Sequence, residues 1–266
     1  MRLRAPGRGG RWLPVVPLAA MLLAAGCAAD VGGAAQPSPS PKPRSLTRQT
    51  VNHVLLNDTA LARIVKQPLD IDPRFPPRFG GPEELQDAGT ALPDGCLGVA
   101  AMLQQNVYPA SDIEQVAVET WRHAAAPTAV TGVREAAVSL PTAADADALF
   151  AAFSQQWQEC DGATTSLPAG VFRLKGTISH VQVSPSVLAA TVAIGWTTPK
   201  SEPNPDPDGV RTLRAVGVRN NCLVEVEVDV FNPSGRPGHP AGESHAIDHS
   251  ATDIARAMLE KVDALI

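Results

Sequence analysis

Hydrophobic and polar positions alternate along this chain in several registers, and each register predicts an element. Ile113 to His123 and Ala129 to Leu140 follow the two-residue period of strands. Val171 to Val183 and Val187 to Ile194 do the same on either side of a Ser184-Pro185-Ser186 turn. Thr212 to Arg219 and Cys222 to Phe231 predict a hairpin about Asn220-Asn221, two residues that tolerate positive φ. Helical spacing replaces alternation elsewhere. Pro141-Thr142-Ala143-Ala144-Asp145 opens a helix with Thr142 as its cap, and Leu149, Phe150, Phe153 and Trp157 stripe it down to Cys160. Ser250 is the expected cap of a last helix to Ile266, striped by Ile254, Met258, Val262 and Leu265. Cys96 to Gln104 predicts a short helix led by Asp94. Ser45 to Gln67 has helix-compatible spacing broken near Asn57-Asp58, with Asp58 the expected cap of a second short helix. Pro68 to Pro93 reads as an ordered loop packed through Phe75, Phe79 and Leu85. Successive strands, tight turns and few crossover helices predict an α+β fold, a central antiparallel sheet with flanking helices.

The first 26 residues break with this pattern. Met1 to Arg11 carries four arginines and no acid, Trp12 to Ala25 is an apolar run, and small residues Ala24-Ala25-Gly26 stand directly before Cys27. A basic start, an apolar stretch too short to span a bilayer and a small-residue cleavage site make a secretory signal peptide over 1–26. A cysteine in the next position predicts a lipoprotein, with Cys27 the lipidated residue; a plainly cleaved secreted protein is the alternative. Acyl chains bind at about 0.8 kcal/mol per buried CH₂, so two or more hold a protein stably on a membrane. Residues 27–45 then form a Pro/Ser/Gly-rich tether. The expected folded domain spans 46–266, of which 46–84 is an N-terminal extension.

Composition narrows the function classes. The formal charge is −5 and becomes more negative once the signal arginines leave. An acidic exported protein without a Lys/Arg cluster is not expected to bind nucleic acid. Hydrophobic content of 44% with only 4% aromatic residues predicts a core of Ala, Val and Leu. With Cys27 consumed by lipid, three thiols remain in an oxidising compartment, which allows one intramolecular bridge. Cys222 shares a strand face with Val224, Val226, Val228 and Val230, so it reads as a small buried hydrophobe. That leaves Cys96 and Cys160 as the disulfide, constraining the unfolded chain by about 4 kcal/mol in the chain-entropy account.

Candidate chemistry is sparse. There is no Gly-x-Ser-x-Gly elbow, His-Glu-x-x-His helix, phosphate loop or Cys-x-x-Cys pair. His239, Glu243, His245, Asp248 and His249 supply enough nitrogen and oxygen ligands for a metal, but their spacing fits no regular motif and solvated loop histidines are the expectation. Asn204 to Gly209 mimics the start of a calcium loop, yet Ala215 stands where the closing carboxylate belongs. Trp121, Trp157 and Trp196 are expected to pack. Glu225, Glu227 and Asp229 lie opposite the Val face and read as a solvated outer row, with a cation-binding cleft as the minority reading. These three carboxylates, with Tyr108 beside Pro109, are the candidate ligand-binding residues. No metal, cofactor or catalytic residue is assigned.

In order and spacing the chain resembles the PknH-type extracellular sensor domain of mycobacteria, which stands outside a membrane-spanning Ser/Thr kinase and also alone in lipoproteins. The resemblance is carried by Asp94-Gly95-Cys96-Leu97-Gly98, Tyr108-Pro109-Ala110-Ser111-Asp112, Ala137 through Asp145 to Trp157-Gln158-Glu159-Cys160, Arg214 to Asn221 with its Val-rich partner strand, and the helix Ile254 to Val262. It covers about Leu85 to Ile266. It implies an α+β domain, a bridge between Cys96 and Cys160, and a polar cleft for an unidentified extracellular ligand. The kinase domain's second disulfide has no counterpart, since Val210 stands near one expected cysteine and Cys222 does not replace the other. The family supplies no catalytic residue.

The expected protein is therefore a membrane-anchored lipoprotein that recognises a small or envelope-derived ligand and is not an enzyme. Alternatives are a lipid or glycolipid carrier, a hydrolase built around His239 to His249, and a protein docking on an envelope partner through an exposed apolar patch.

Overall fold

A computed structural model describes residues 45–86, 94–108, 113–124, 129–169, 172–197, 210–231 and 247–266. The expected signal peptide (1–26), Cys27, residues 28–44 of the expected tether, the Asn204–Gly209 loop, His239, Glu243, His245 and the Trp196 side chain lie outside what is described.

The alternating segments become one antiparallel sheet of nine strands among the described residues. They are β1 (Leu69–Ile71), β2 (Arg78–Gly80), β3 (Gln115–His123), β4 (Val130–Ser139) and β5 (Thr164–Ala169). The series continues with β6 (Phe172–Val183), β7 (Val187–Thr197), β8 (Val210–Arg219) and β9 (Cys222–Phe231). Spatial order is β1-β3-β4-β9-β8-β7-β6-β5, with β2 paired beside β1 on β3. The β8–β9 hairpin turns where the sequence predicts: Asn220 takes φ +50° and Arg219 faces Cys222. Helices are α1 (Asp58–Val65), α2 (Leu97–Ala100), α3 (Ala143–Glu159) and α4 (Ser250–Leu265), with a 3₁₀ turn at Val51–Val54.

Both faces of the sheet are covered, and parity assigns each side chain to one of two cores. Val224, Val226, Val228, Leu213, Ala215, Ala117 and Trp121 pack against the N-terminal segment and the α4 stripe Ile254, Met258 and Val262. Gly217 lets α4 come close, because a β-carbon there would stand 3.0 Å from Leu259. On the other face Val116, Val138, Val216 and Leu223 meet Phe150, Phe153 and Trp157 of α3, together with Val99, Met102 and Tyr108. The Cys96–Cys160 disulfide closes this second core, and Cys222 is the buried free thiol.

Local signals hold with a few corrections. Thr142 caps α3, accepting a 3.1 Å bond from the Asp145 amide and donating a 2.6 Å bond to its carboxylate. The cap of α1 is Asn57 rather than Asp58, since the Asn57 side chain accepts from the Ala60 amide. His249 rather than Ser250 occupies the cap position of α4, without a side-chain bond, and Ser250 is buried in the first turn. Phe75 and Phe79 do not pack: they are 51% and 48% exposed, because the segment holds itself through β1 and β2 on the edge of β3.

The N-terminal extension is part of the core. The Asn221 side chain accepts from the Leu46 amide at 2.8 Å and donates to the Leu46 and Leu140 carbonyls. Glu135, fully buried, accepts from the Leu56 amide with both oxygens and from the Trp121 indole at 3.1 Å. Lys261 donates to the Leu55 carbonyl beside it. Burial is the main cause that lifts Glu135 to about 8, opposed by the Leu56 bond.

Candidate functional site

The acidic row on β9 is not a solvated face. It begins sealed and ends open. Glu225 is 2% exposed; its carboxylate accepts from the Leu103 amide at 2.9 Å, the Tyr108 hydroxyl at 2.7 Å and Arg214 at 2.8 Å. Arg214, wholly buried on β8, also donates to the Gly98 and Val99 carbonyls and lies over the Trp157 ring. A buried carboxylate survives only when so paired. Burial, ahead of the neighbouring Glu225, raises the Tyr108 hydroxyl well above its ordinary value, so it stays protonated and donating. Two of the four candidates, Tyr108 and Glu225, are thus buried in the second core and reach the rest of the row through Arg214.

Glu227 and Asp229 continue the row into open space. Glu227 is held by Arg134 at 3.4 Å in front and by Arg214 at 3.8 Å behind. Asp229 accepts a 2.8 Å bond from Thr212 and is pushed up to about 6, by burial first and by Glu227 second. Together with residues 120–123 of β3 and 131–134 of β4 they line a cleft of about 310 Å³.

A loop between β1 and β2 forms the near rim. The Asp72 amide donates to the Thr120 carbonyl, and its carboxylate accepts from the Arg74 amide and guanidinium, the shortest contact being 2.7 Å. The Arg74 side-chain bond is the main reason Asp72 is held at about 2. Arg74 lies over the Phe75 ring, and Phe75 projects at the cleft mouth. A second recess of about 360 Å³ shares Arg74, Phe75, Thr120 and Arg134 and runs on to Arg78 and Gln86. The two make one groove across the α3 side of the sheet.

Arg214 and Arg134 are not among the sequence candidates, though the hairpin register carries a signal for Arg214. A two-residue turn at Asn220-Asn221 pairs Arg214 with Glu227, and β4 pairs Arg134 with the same residue. Asp72, Arg74 and Phe75 left no comparable trace, because two three-residue strands do not establish a period. The groove offers paired donors and acceptors rather than a nucleophile with its base. Among the described residues no group of His, Cys, Asp and Glu is placed to hold a metal. Asp248 instead pairs with Arg211 at 3.5 Å.

Comparison with known proteins bears on this architecture. The family model of the PknH-like extracellular domain matches residues 46–261. The extracellular domain of PknH from Mycobacterium tuberculosis superposes with a TM-score of 0.66 at 17% identity, over 83% of this chain and 98% of that one. An uncharacterized Rv0999 ortholog from Mycobacterium smegmatis gives a TM-score of 0.36 at 11% identity, over 77% and 96% of the two chains. No curated protein sequence matches. At 17% identity the likeness to the PknH domain bears on the fold alone, whereas the family match runs from the N-terminal extension into α4. The chain belongs to the family of PknH-like extracellular domains.

Proposed function

We propose that this sensor-type extracellular domain is the receptor part of a lipid-anchored surface protein and that the groove of Arg134, Glu227 and Asp229 receives its ligand. The observation that carries this reading is the way the acidic row opens. Arg134, Glu227 and Asp229 stay partly accessible in the cleft, while the row behind them is closed by the buried pairing of Tyr108, Glu225 and Arg214. A set of polar groups already fixed in place binds with little ordering cost. The same pairing supports recognition over catalysis, since Glu227 is engaged by guanidinium groups and Asp229 by a threonine. The inner cleft, lined by Arg, Asp and Glu side chains, also favours a polar ligand over the apolar cargo of a lipid carrier.

Anchoring rests on Cys27 and the tether that follows it. No helix among the described residues is long and apolar enough to cross a membrane. Native mass spectrometry of the full chain, isolated from its own envelope, tests the receptor reading: a retained ligand should be lost from Arg134→Ala/Asp229→Ala. Metabolic labelling with a radioactive fatty acid tests the anchor, and Cys27→Ser should abolish the label.

A further inference from the structure

Opposite charges alternate around the cleft, with His123 beside them. Arg74, Arg122 and Arg134 stand with Asp72, Glu227 and Asp229. Arg74 grips Asp72 with its Nε and Nη2, Arg134 lies 3.4 Å from Glu227, and Arg214 backs Glu227 at 3.8 Å. At Arg74 and Arg134 an entering anion would have to compete with carboxylates already on the guanidinium groups. An entering cation would meet arginines on both sides of Glu227. A fatty chain would leave this charged floor dehydrated and unpaired, a penalty that grows with each buried polar group. A hydroxyl group has neither problem, because it donates and accepts at once and can bridge a guanidinium to a carboxylate.

The rim adds the second half of the chemistry. Phe75 is half exposed at the mouth and lines both recesses, with Arg74 against its ring and Asp72 fixing Arg74. An aromatic ring at the mouth of a cleft of alternating donors and acceptors suits a molecule with one C–H face and an edge of hydroxyls. The volume, about 310 Å³ with a further 360 Å³ adjoining, lies toward the small end of ligand pockets.

Building on the receptor reading of this groove, we infer that its ligand is a neutral saccharide, with the sugar face on Phe75 and the hydroxyls shared between Arg134, Glu227 and Asp229. A lone monosaccharide fills the inner cleft; a longer glycan continues past Thr120 toward Arg78.

The test is saturation-transfer NMR on the full chain, purified in a sugar-free zwitterionic detergent. The probes are the common neutral hexoses and pentoses, their methyl glycosides and disaccharides, with acetate, inorganic phosphate and hexanol as competing chemistries. At least one saccharide should bind, and its affinity should fall tenfold or more in Phe75→Ala and in Asp229→Asn. Gln158→Ala, in the separate open depression on α3, should leave it unchanged. Saccharide binding that is insensitive to the two cleft substitutions, or absent, overturns the inference. Binding of acetate, phosphate or hexanol alone, lost in Phe75→Ala or Arg134→Ala, overturns the saccharide class and leaves the groove a receptor site. A native ligand that survives Arg134→Ala/Asp229→Ala overturns both.

Discussion

Tyr108 donates a 2.7 Å hydrogen bond to Glu225, and this contact closes the inner end of the acidic row. Edge-on contact with Phe153, at 5.4 Å between centroids, holds the tyrosine ring independently of that bond. Tyr108→Phe should therefore keep the packing and lose only the donor to a charged group. The expected cost is about 1.5–3 kcal/mol of unfolding free energy by chemical denaturation, with the Cys96–Cys160 disulfide intact.

Arg214 is the counter-charge that allows Glu225 to be buried. Arg214→Met should destabilise the protein by about 3–5 kcal/mol, since it strands a carboxylate among apolar side chains. Adding Glu225→Gln should recover a large part of that loss. Additive losses in the double variant would show that the two residues act separately.

Glu135 makes stability depend on pH in a defined direction. Its folded value of about 8 lies above the ordinary 4.5, so the folded state binds the proton more tightly. Its contribution is complete below pH 4.5 and is lost as pH rises toward 8, with a slope of up to about 1.4 kcal/mol per pH unit. Asp229, raised to about 6, acts in the same direction between pH 4 and 6. Asp72, held at about 2, acts oppositely, and its contribution is lost as pH falls through the acid range. Denaturation curves should place the stability maximum in mildly acidic buffer. Glu135→Gln should flatten the decline between pH 6 and 8, which would persist if another group caused it.

The disulfide joins residues 64 apart in sequence. Reduction, or Cys96→Ser/Cys160→Ser, should lower stability by about 4 kcal/mol. Burial pushes the Cys222 thiol up to about 12, so iodoacetamide should label it only after unfolding.

Sequence pattern located the long elements and misjudged what covers them. β3, β4, α3 and the β8–β9 hairpin follow from alternation, the Thr142 cap and the Asn220 turn, all local properties of their own residues. β5 escaped because Pro168 interrupts a segment with little alternation. β1 and β2 escaped because each is three residues long and exists by pairing with β3. Parity placed Glu225, Glu227 and Asp229 together on the face opposite Cys222. It carried no information on which of them would lie beneath Tyr108 and Leu103, residues more than a hundred positions away. Asn221 shows the same limit: a turn residue by local chemistry, it is also the clasp on Leu46.

The receptor role of the groove is tested most directly by hydrogen exchange on the full chain, with and without extract of its own envelope. Protection on adding extract should concentrate in residues 72–77 and in the cleft ends of β3, β4 and β9, and should be absent in Arg134→Ala/Asp229→Ala. Unchanged exchange across those segments, or protection confined to α3 and the β6–β7 turn, would contradict the account.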